Sequence, residues 1–532
     1  MTMPPAYYIT TPIYYVNDSP HIGHAYTSLS CDVLARFMRA DGYKVMFLTG
    51  TDEHGQKVEK SAKESGVPPQ EFVDIVSKKF IELGETMNFS NNDFIRTTEN
   101  RHINSCKELW KRISKNNAPE TSDSNIYLGK YSGWYSVRDE AFYAEKELVK
   151  KSNSQTYVAP TGAPVEWVEE PSYFFRLSAW QEPLLKFYKE NPHFIAPETR
   201  RNEVLSFVSS GLQDLSISRT SFSWGVQVPD DESHIMYVWL DALTNYITAT
   251  GFPNEKEDKW KQFWPASLHM VGKDILRFHT VYWPAFLMAA GLEPPKRIYA
   301  HGWGTNEGQK ISKSLGNVID PRVIVERYGI DAVRYFLLRE VPFGKDGDFS
   351  HKSMITRINN DLANDLGNLA QRTLSMIAKN CNSKIPKIIL SENSNFDSLE
   401  TLREARELIN IVRNLLHKQL FNEALESIWE VIRSANRSID KDEPWKLRKT
   451  NSTEMESVLW IHAEILRTLG IILLPFMPDA MNSLLNQLCT DENKRAFSYI
   501  SNIEKIYDEY SLKPGVTLPK PAPIFPRYIE DS

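Results

Sequence analysis

The chain has few cysteines and no long apolar run. Its four cysteines, Cys31, Cys106, Cys381 and Cys489, are scattered through 532 residues and form no CxxC pair. This scarcity argues against a disulfide framework and against a cysteine zinc knuckle. The most apolar C-terminal stretch, 469–476, is much shorter than the roughly 20 residues that span a bilayer. The N-terminal residues lack the basic and apolar segments of a secretory signal, so none is predicted.

The charge balance is close to neutral. Lysine and arginine number 62 against 68 aspartates and glutamates, which gives a net charge of −6. Apolar residues at 41% and charged residues at 24% are typical of globular chains and exclude an intrinsically disordered protein. The negative balance argues against a protein that coats nucleic acid through its whole surface. We therefore expect a cytoplasmic enzyme of three or four structural units, with no membrane segment.

Apolar segments near the N-terminus alternate between strand and helix patterns. Residues 6–15 read as a buried strand, residues 25–39 carry helical spacing, and residues 44–49 read as a second strand. The same alternation returns over residues 268–301, where residues 274–290 read as a largely buried helix. This β-loop-α-β order predicts an α/β domain built on a doubly wound parallel sheet of the Rossmann type.

The texture of the sequence changes twice along the chain. Short aromatic strands between the two sheet halves predict a small inserted α/β domain. Long amphipathic patterns after about residue 350, such as the helix predicted over residues 402–432, predict an all-α helical bundle. The predicted units are the first half of the sheet domain (1–116), the insertion (117–224), the second half (225–320), a linking segment (321–350), and the bundle with a proline-rich C-terminal strap (351–532).

A histidine pair follows the first predicted strand. His21-Ile22-Gly23-His24 lies directly before a helix, where backbone N–H groups and the helix dipole favour an anion. The imidazoles can donate hydrogen bonds to phosphate oxygens, and Gly23 lets a base or ribose approach the backbone. Two histidines beside an ordinary turn would give the same pattern, and the motif alone leaves both interpretations open.

A lysine loop follows the last predicted strand. Lys310 and Lys313, in the sequence Lys-Ile-Ser-Lys-Ser, are suited to neutralising charge on a polyphosphate, although a single KxxK is more often a solvated loop. The histidine and lysine motifs in this order resemble the class I aminoacyl-tRNA synthetase family, whose KMSKS motif differs only at its second position. The resemblance implies that His21, His24, Lys310 and Lys313 are catalytic, and that Gly23 and Ser312 also bind ATP.

Further segments resemble the methionyl-tRNA synthetases along nearly the whole chain; they are residues 10–17, 49–55, 237–242 and 271–275. The resemblance implies a methionine pocket lined by Ile13, Tyr15, Trp239, Tyr246, Ile275 and His279, with Asp52 holding the α-ammonium. It also implies an ATP site that includes Asp274, His301, Gly302 and Trp303. Taken singly, the aromatic residues could be core residues, and Asp52 and Asp274 could be helix caps.

Three residues of the predicted bundle match positions at which this family contacts the anticodon, namely Asn368, Arg372 and Trp445. A tryptophan after a proline can stack on an unpaired base, while asparagine and arginine can hydrogen-bond base edges. Ordinary helix packing and surface solvation are the alternatives. The resemblance implies a methionine–tRNA ligase with methionine, tRNA(Met) and ATP with Mg²⁺ as its partners, and a monomer.

The insertion differs from that of many relatives, which bind zinc there through cysteines. Residues 127–147 contain no cysteine or histidine, so no structural zinc is expected, and no dedicated protein site for a metal is predicted. Two alternatives remain: a class I synthetase for another amino acid, and a non-catalytic tRNA-binding protein derived from a synthetase. An insertion too small for an editing domain opposes a leucine-type enzyme, and the retained histidines and lysines oppose a non-catalytic protein.

Overall fold

A computed structural model describes residues 4–16, 19–139, 141–143, 145–150, 157–302, 304–306, 309–310, 319–340, 343–344, 347–390 and 394–529. Its strands are β1 (Ala6–Thr10), β2 (Tyr14–Tyr15), β3 (Lys44–Asp52), β4 (Asp93–Arg96), β5 (Ile126–Ser136), β6 (Ala141–Tyr143), β7 (Val149–Lys150), β8 (Tyr157–Val158), β9 (Glu166–Phe175), β10 (Ile195–Ala196), β11 (Leu215–Ser216), β12 (Ser218–Arg219), β13 (Gln227–Val228), β14 (Asp231–Met236), β15 (Leu268–Gly272), β16 (Ile298–His301), β17 (Gly304–Asn306), β18 (Gln309–Lys310) and β19 (Gly347–Phe349).

The helices are α1 (Ile22–Ala40), α2 (Gln56–Glu64), α3 (Pro69–Thr86), α4 (Asn100–Lys115), α5 (Gln181–Glu190), α6 (Glu198–Ser209), α7 (Val238–Leu243), α8 (Asn245–Thr248), α9 (Asp258–Phe263), α10 (Trp283–Ala289), α11 (Pro321–Tyr328), α12 (Ile330–Arg339), α13 (His351–Arg357), α14 (Asn368–Asn380), α15 (Asp397–His417), α16 (Phe421–Asp442), α17 (Pro444–Thr450), α18 (Ser452–Leu473) and α19 (Pro478–Gln487). Two π-helical segments, Phe278–Tyr282 and Ile358–Gly367, precede α10 and α14.

The central element is a seven-stranded parallel sheet in the order β10-β16-β15-β1-β3-β2, with β4 also paired to β3. In this register Ile9 of β1 lies opposite Phe47 on one side and Leu268 on the other. The chain therefore adds β3 on one side of β1 first, and later adds β15 on the other side of β1. This confirms the predicted doubly wound sheet, and ligands in such sheets bind at the carboxyl ends of the strands beside that reversal.

Two hydrophobic cores cover the two faces of the sheet. On the α1 face, Leu29 and Phe37 belong to one continuous cluster that extends through Trp429 and Leu469 of the helical region. On the opposite face, Trp110 of α4 and Phe286 of α10 belong to a second cluster. The all-helical region that begins at α13 thus shares its core with the sheet. Among the described residues, no helix is long and apolar enough to cross a membrane.

The inserted segment is built on antiparallel sheets. β5 pairs along its length with β9, which also pairs with β11, and β12 and β13 flank β14. At the other end of the chain, the predicted C-terminal strap lies along the loop after α14, where the Ile385 and Leu518 backbone N–H groups donate to the carbonyls of Val516 and Ser383. Leu518 itself is buried in the first core.

Three predicted elements are interrupted in the structure. The strand predicted over residues 6–15 divides into β1 and β2 around Pro12, and the helix predicted over residues 402–432 breaks between α15 and α16. The helix predicted over residues 274–290 contains a π-helical segment before Pro284, which has no N–H to donate to the carbonyl of Thr280. The hydroxyl of Tyr188 donates to that carbonyl instead, at 2.6 Å.

Candidate active site

The histidine pair forms a reciprocal cap at the N-terminus of α1. His21 is the N-cap residue, and its Nδ1 accepts a hydrogen bond from the Gly23 N–H at 3.1 Å. Nδ1 of His24 accepts from the His21 N–H at 3.0 Å, and the two ring centroids are 3.9 Å apart. Because each Nδ1 accepts, each neutral ring carries its proton on Nε2, which is then a donor. The motif therefore combines two imidazole donors with the positive end of a helix dipole.

His301 lies at the carboxyl end of β16 and contacts the same helix. Its Nε2 lies 2.8 Å from Thr27 Oγ1, and its Nδ1 lies 2.8 Å from the Gly302 carbonyl oxygen. Burial lowers the pKa of His301 to about 4, so the ring is neutral at neutral pH. The structure thus brings His301 and Gly302 beside the helix that begins with the histidine pair, while Trp303 lies outside the described residues.

The predicted lysine loop follows the sheet but is described only in part. The backbone of Lys310 belongs to β18, which forms a hairpin with β17, and β17 runs parallel to β19. Ser312 and Lys313 lie outside the described residues. The structure therefore shows where this loop begins, a few residues after the end of β16. The roles of its side chains stay predictions.

Three predicted pocket residues form a hydrogen-bonded group at the end of β15. His279 Nδ1 lies 2.9 Å from the Ile275 carbonyl oxygen, and its Nε2 lies 2.7 Å from the Tyr246 hydroxyl. Burial lowers the pKa of His279 to about 4, so the ring is neutral. Since Nδ1 donates to the Ile275 carbonyl, Nε2 accepts, and the Tyr246 hydroxyl is the donor. These three predicted pocket residues consequently carry no charge.

Aromatic and aliphatic side chains continue the same wall. Trp239 stacks on Phe278 with centroids 3.8 Å apart and meets the edge of His279 at 6.2 Å. Four predicted pocket residues are half-buried against the second core, and these are Ile13, Tyr15, Trp239 and Ile275. The half-buried state leaves part of each side chain available to a ligand, as in other small-molecule sites.

The two predicted carboxylates do not cap regular helices. Asp52 is buried at the end of β3, where the β2–β3 register places it opposite Tyr15. Asp274 is exposed and lies inside a short 3₁₀ turn, Lys273–Ile275, whose N-cap residue is Gly272. Both carboxylates therefore stand at carboxyl ends of sheet strands, at the edge where the histidine cap and the pocket wall also lie.

The predicted anticodon residues come together on two helices. Asn368 and Arg372 are one turn apart on α14, and the Arg372 guanidinium lies 5.5 Å from the ring centroid of Trp445 on α17. Arg372 also donates to Asp440 at 2.5 Å, and Trp445 is 38% exposed. Beside Asn368, an open cleft of about 510 Å³ extends to Phe525 and Arg527 of the C-terminal strap. This surface offers a ring face, amides and a guanidinium together.

A buried polar cluster behind the pocket was not predicted from the sequence. Asp241, two residues after Trp239, accepts from His54 Nδ1 and His102 Nε2, each at 2.7 Å. Burial would raise the pKa of Asp241, but the two histidines outweigh it and hold that pKa below its ordinary value. The i, i+4 spacing of His102 and Cys106 on α4 was the available signal. Its partner Asp241 is 139 residues away in the chain, so no local pattern joins them.

The sheet and its histidine-capped helix are those of a class I aminoacyl-tRNA synthetase. The family model described as tRNA synthetases class I (M) matches residues 7–374. Over 525 residues the chain is 52% identical to a methionine–tRNA ligase of Rickettsia felis, covering 99% of each, and over 524 residues it is 51% identical to that of Mesorhizobium japonicum, covering 98% of each.

A solved structure of the Mycobacterium tuberculosis methionyl-tRNA synthetase in complex with methionyl-adenylate is 48% identical and superposes with a TM-score of 0.92, covering 98% of this chain and 100% of that one. These similarities extend over the sheet domain, the insertion and the helical region. The chain belongs to the methionyl-tRNA synthetase family.

Proposed function

We propose that the protein is a methionine–tRNA ligase, which activates methionine with ATP and then transfers it to the 3′ end of tRNA(Met). One observation carries the proposal: the uncharged Tyr246–His279 group and the His21–His24 cap both lie at the carboxyl edge of one parallel sheet. That edge is where doubly wound sheets bind nucleotides and their reaction partners. The full-length similarity to methionine–tRNA ligases supports the same conclusion.

Methionine selection follows from the absence of charge in the pocket wall. A thioether offers no strong hydrogen bond, so it suits a wall formed by the apolar side chains Trp239, Ile13 and Ile275. Tyr246 and His279, in the same wall, are already hydrogen-bonded to each other. A ligand with a polar side chain would lose its water without gaining a partner there. The Asp52 carboxylate at the end of β3 supplies the complementary charge for the α-ammonium.

The activation step needs alignment and charge stabilisation. The methionine carboxylate oxygen forms a bond to the α-phosphorus of ATP, the bond from that phosphorus to the bridging oxygen breaks, and pyrophosphate leaves with the electron pair. No protein nucleophile takes part. The Nε2–H donors of His21 and His24 and the N-terminus of α1 stabilise the negative charge on the phosphorus oxygens. Lys310 and Lys313 contribute from their loop, with Mg²⁺ bound to the phosphates.

The adenosine and tRNA sites complete the reaction. In this proposal Asp274 binds the ribose, His301, Gly302 and Trp303 bind the adenosine, and Gly23 and Ser312 bind the phosphates. In the second step a terminal ribose hydroxyl of tRNA attacks the carbonyl carbon of methionyl-adenylate, and AMP leaves. Trp445, Arg372 and Asn368 recognise the anticodon through stacking and base-edge hydrogen bonds. A monomeric state and a cytoplasmic location are part of this proposal.

The decisive experiment is ATP–pyrophosphate exchange with purified protein and Mg²⁺, with each of the twenty amino acids presented separately. We expect exchange with methionine alone, and an Asp52→Asn variant should lose most of it because the ammonium loses its counter-charge. Exchange with a different amino acid would overturn the assignment of the pocket. No exchange with any amino acid, even after tRNA is added, would favour the non-catalytic tRNA-binding alternative.

A further inference from the structure

Three side chains of metal-binding type converge behind the methionine pocket. His102 Nε2 lies 2.7 Å from Asp241 Oδ1, Cys106 Sγ lies 3.2 Å from His102 Nε2, and Cys106 Sγ lies 3.6 Å from Asp241 Oδ1. The three atoms therefore form a compact triangle of one nitrogen, one sulfur and one oxygen. This cluster lies outside the predicted insertion, with His102 and Cys106 on α4 before it and Asp241 on α7 after it.

The backbone holds these ligand atoms on two rigid elements. His102 and Cys106 are four residues apart on α4, so both project from one face of that helix, and Asp241 faces them from α7. His102 and Cys106 are fully buried and Asp241 is 1% exposed. Among the described residues this is the one group of three histidine, cysteine or acidic side chains whose ligand atoms lie close enough to share an ion.

The triangle is slightly smaller than the ligand triangle of a tetrahedral zinc site. With bonds of about 2.3 Å to sulfur and about 2.0–2.1 Å to nitrogen and oxygen, neighbouring ligand atoms stand about 3.3–3.6 Å apart. The S–O distance of 3.6 Å lies in that range, and the S–N distance of 3.2 Å is slightly short of it. The N–O distance of 2.7 Å is a direct hydrogen bond and has to widen by about 0.6 Å when an ion separates the His102 ring from Asp241. The charges also balance, because a thiolate and a carboxylate neutralise a divalent ion in a buried place.

The outer partners of the ligands are those that metal sites require. The second carboxylate oxygen of Asp241 accepts from His54 Nδ1 at 2.7 Å, which fixes the orientation of the carboxylate. The second ring nitrogen of His102 faces Thr248 Oγ1 at 3.5 Å, and the Thr248 hydroxyl itself donates to the Thr244 carbonyl. Without an ion, His102 Nε2–H donates to Asp241. When an ion binds, the ring proton moves to Nδ1, where Thr248 can accept it, and Nε2 becomes the ligand atom.

We propose that His102, Cys106 and Asp241 bind one structural Zn²⁺ ion. The ion links α4 to α7, the helix that also carries Trp239. It therefore stabilises the position of Trp239 in the proposed methionine pocket. Since the ligands are buried, binding is coupled to folding, and the ion enters before the two helices close. The site requires no methionine–tRNA ligase activity and is independent of the proposed function.

The first test measures metal in the purified wild-type chain and in two matched cysteine variants. Elemental analysis should give about one zinc per wild-type chain, and refolding with Co²⁺ should give a thiolate-to-cobalt charge-transfer band. Cys106→Ser should lose the band and the zinc. Cys31→Ser, at an equally buried cysteine, and Cys489→Ser, at an exposed one, should retain both. A band that persists in Cys106→Ser, or a wild-type chain that takes up neither metal on refolding, would overturn the proposal.

A second measurement keeps the test valid if Cys106→Ser folds poorly. Unfolding the wild-type chain in the presence of a strong zinc chelator should lower its midpoint temperature, while the same chelator should leave Cys106→Ser unchanged. An identical response of the two proteins would show that the cluster is a metal-free hydrogen-bonded group in which His102 donates to Asp241. Neither readout depends on exchange activity, so failure here is distinct from failure of the proposed function.

Discussion

Arg334 and Asp32 form an ion pair of 2.7 Å in which neither side chain is exposed. The same guanidinium donates to the backbone carbonyls of Met87, Pro475 and Phe476, at 3.1, 3.0 and 2.8 Å. Burial acts against ionisation of Asp32, but the attraction of Arg334 and Arg36 holds the pKa of Asp32 below its ordinary value. Asp32 lies on α1, the helix that begins with the histidine pair, and Pro475 and Phe476 lie in the helical region. The buried Arg334 guanidinium therefore connects the helical region to the sheet domain.

Replacing this cation should destabilise the whole protein. Arg334→Met leaves the buried Asp32 carboxylate with Arg36 as its one remaining cation and three carbonyls without their donor, so we expect a loss of about 3–5 kcal/mol in the free energy of unfolding. Urea denaturation measures it. Arg403→Met is the matched control, because Arg403 pairs with Glu400 on the surface with 62% and 68% of the side chains exposed, and should cost less than about 1 kcal/mol. Equal losses in the two variants would contradict the role given to Arg334.

The two roles of His21 can be separated by comparing two substitutions. Asparagine retains a side-chain acceptor for the Gly23 N–H, whereas alanine does not, so only His21→Ala should lose about 1 kcal/mol of stability. Both variants lose the Nε2–H donor, and kcat for methionine-dependent exchange should fall about 100-fold in each. An asparagine variant with full exchange activity would show that the helix cap alone is needed.

Tyr246→Phe should weaken methionine binding selectively. The change leaves His279 Nε2 buried without its donor and removes the contact that fixes this wall, at a cost of about 1–3 kcal/mol. We expect the KM for methionine in exchange to rise about tenfold while the KM for ATP stays unchanged. Tyr335→Phe, which removes an equally buried hydroxyl donating to Asp361, is the control. A rise in both constants would mean that the fold, rather than the pocket, has changed.

His462 should make stability depend on pH. Neither ring nitrogen has a hydrogen-bond partner among the described residues, and burial, aided by Arg372, lowers its pKa to about 3. The unfolded chain protonates near pH 6.5 while the folded one does not, so His462 should cost about 2 kcal/mol as the pH falls from about 7.5 to 5.

The test compares the pH dependence of unfolding in two variants. His462→Leu should reduce the loss of stability between pH 7.5 and 5 by that amount, whereas His193→Leu, at an exposed position, should leave the slope unchanged. Urea midpoints at the two pH values supply the measurement. A slope in His462→Leu equal to that of the wild type would show that His462 protonates in the folded state as well.

Trp445 should affect tRNA charging without affecting methionine activation. Removing a stacking face costs about 1–3 kcal/mol per base, so Trp445→Ala should lower kcat/KM for tRNA about 10- to 100-fold. Exchange activity should be unchanged, because Trp445 lies on α17 of the helical region. Trp445→Phe retains a ring and should recover most of the loss. If phenylalanine recovers nothing, the indole acts through its N–H or its volume instead.

Much of the architecture was predictable because it depends on local patterns. Apolar runs and helical spacing predicted the parallel sheet and the helical region, since each pattern depends on residues a few positions apart. The histidine motif could be placed at a helix N-terminus for the same reason, although its reciprocal cap was not foreseen. The interruptions at Pro12 and Pro284 were missed because apolar residues continue across both prolines. The domain boundaries and the role of the lysine loop stay predictions.

The sequence by itself thus determined the sheet, the position of the histidine-capped helix and the family. Tertiary structure alone decided which distant side chains meet. Arg334 reaches Asp32 across 302 positions, and Asp241 meets His102 across 139. Such pairs leave no periodic signal, because they form only when packed helices exclude water and each buried polar group must find a partner inside. The neutral Tyr246–His279 group and the buried cluster around Asp241 are therefore properties of the folded chain.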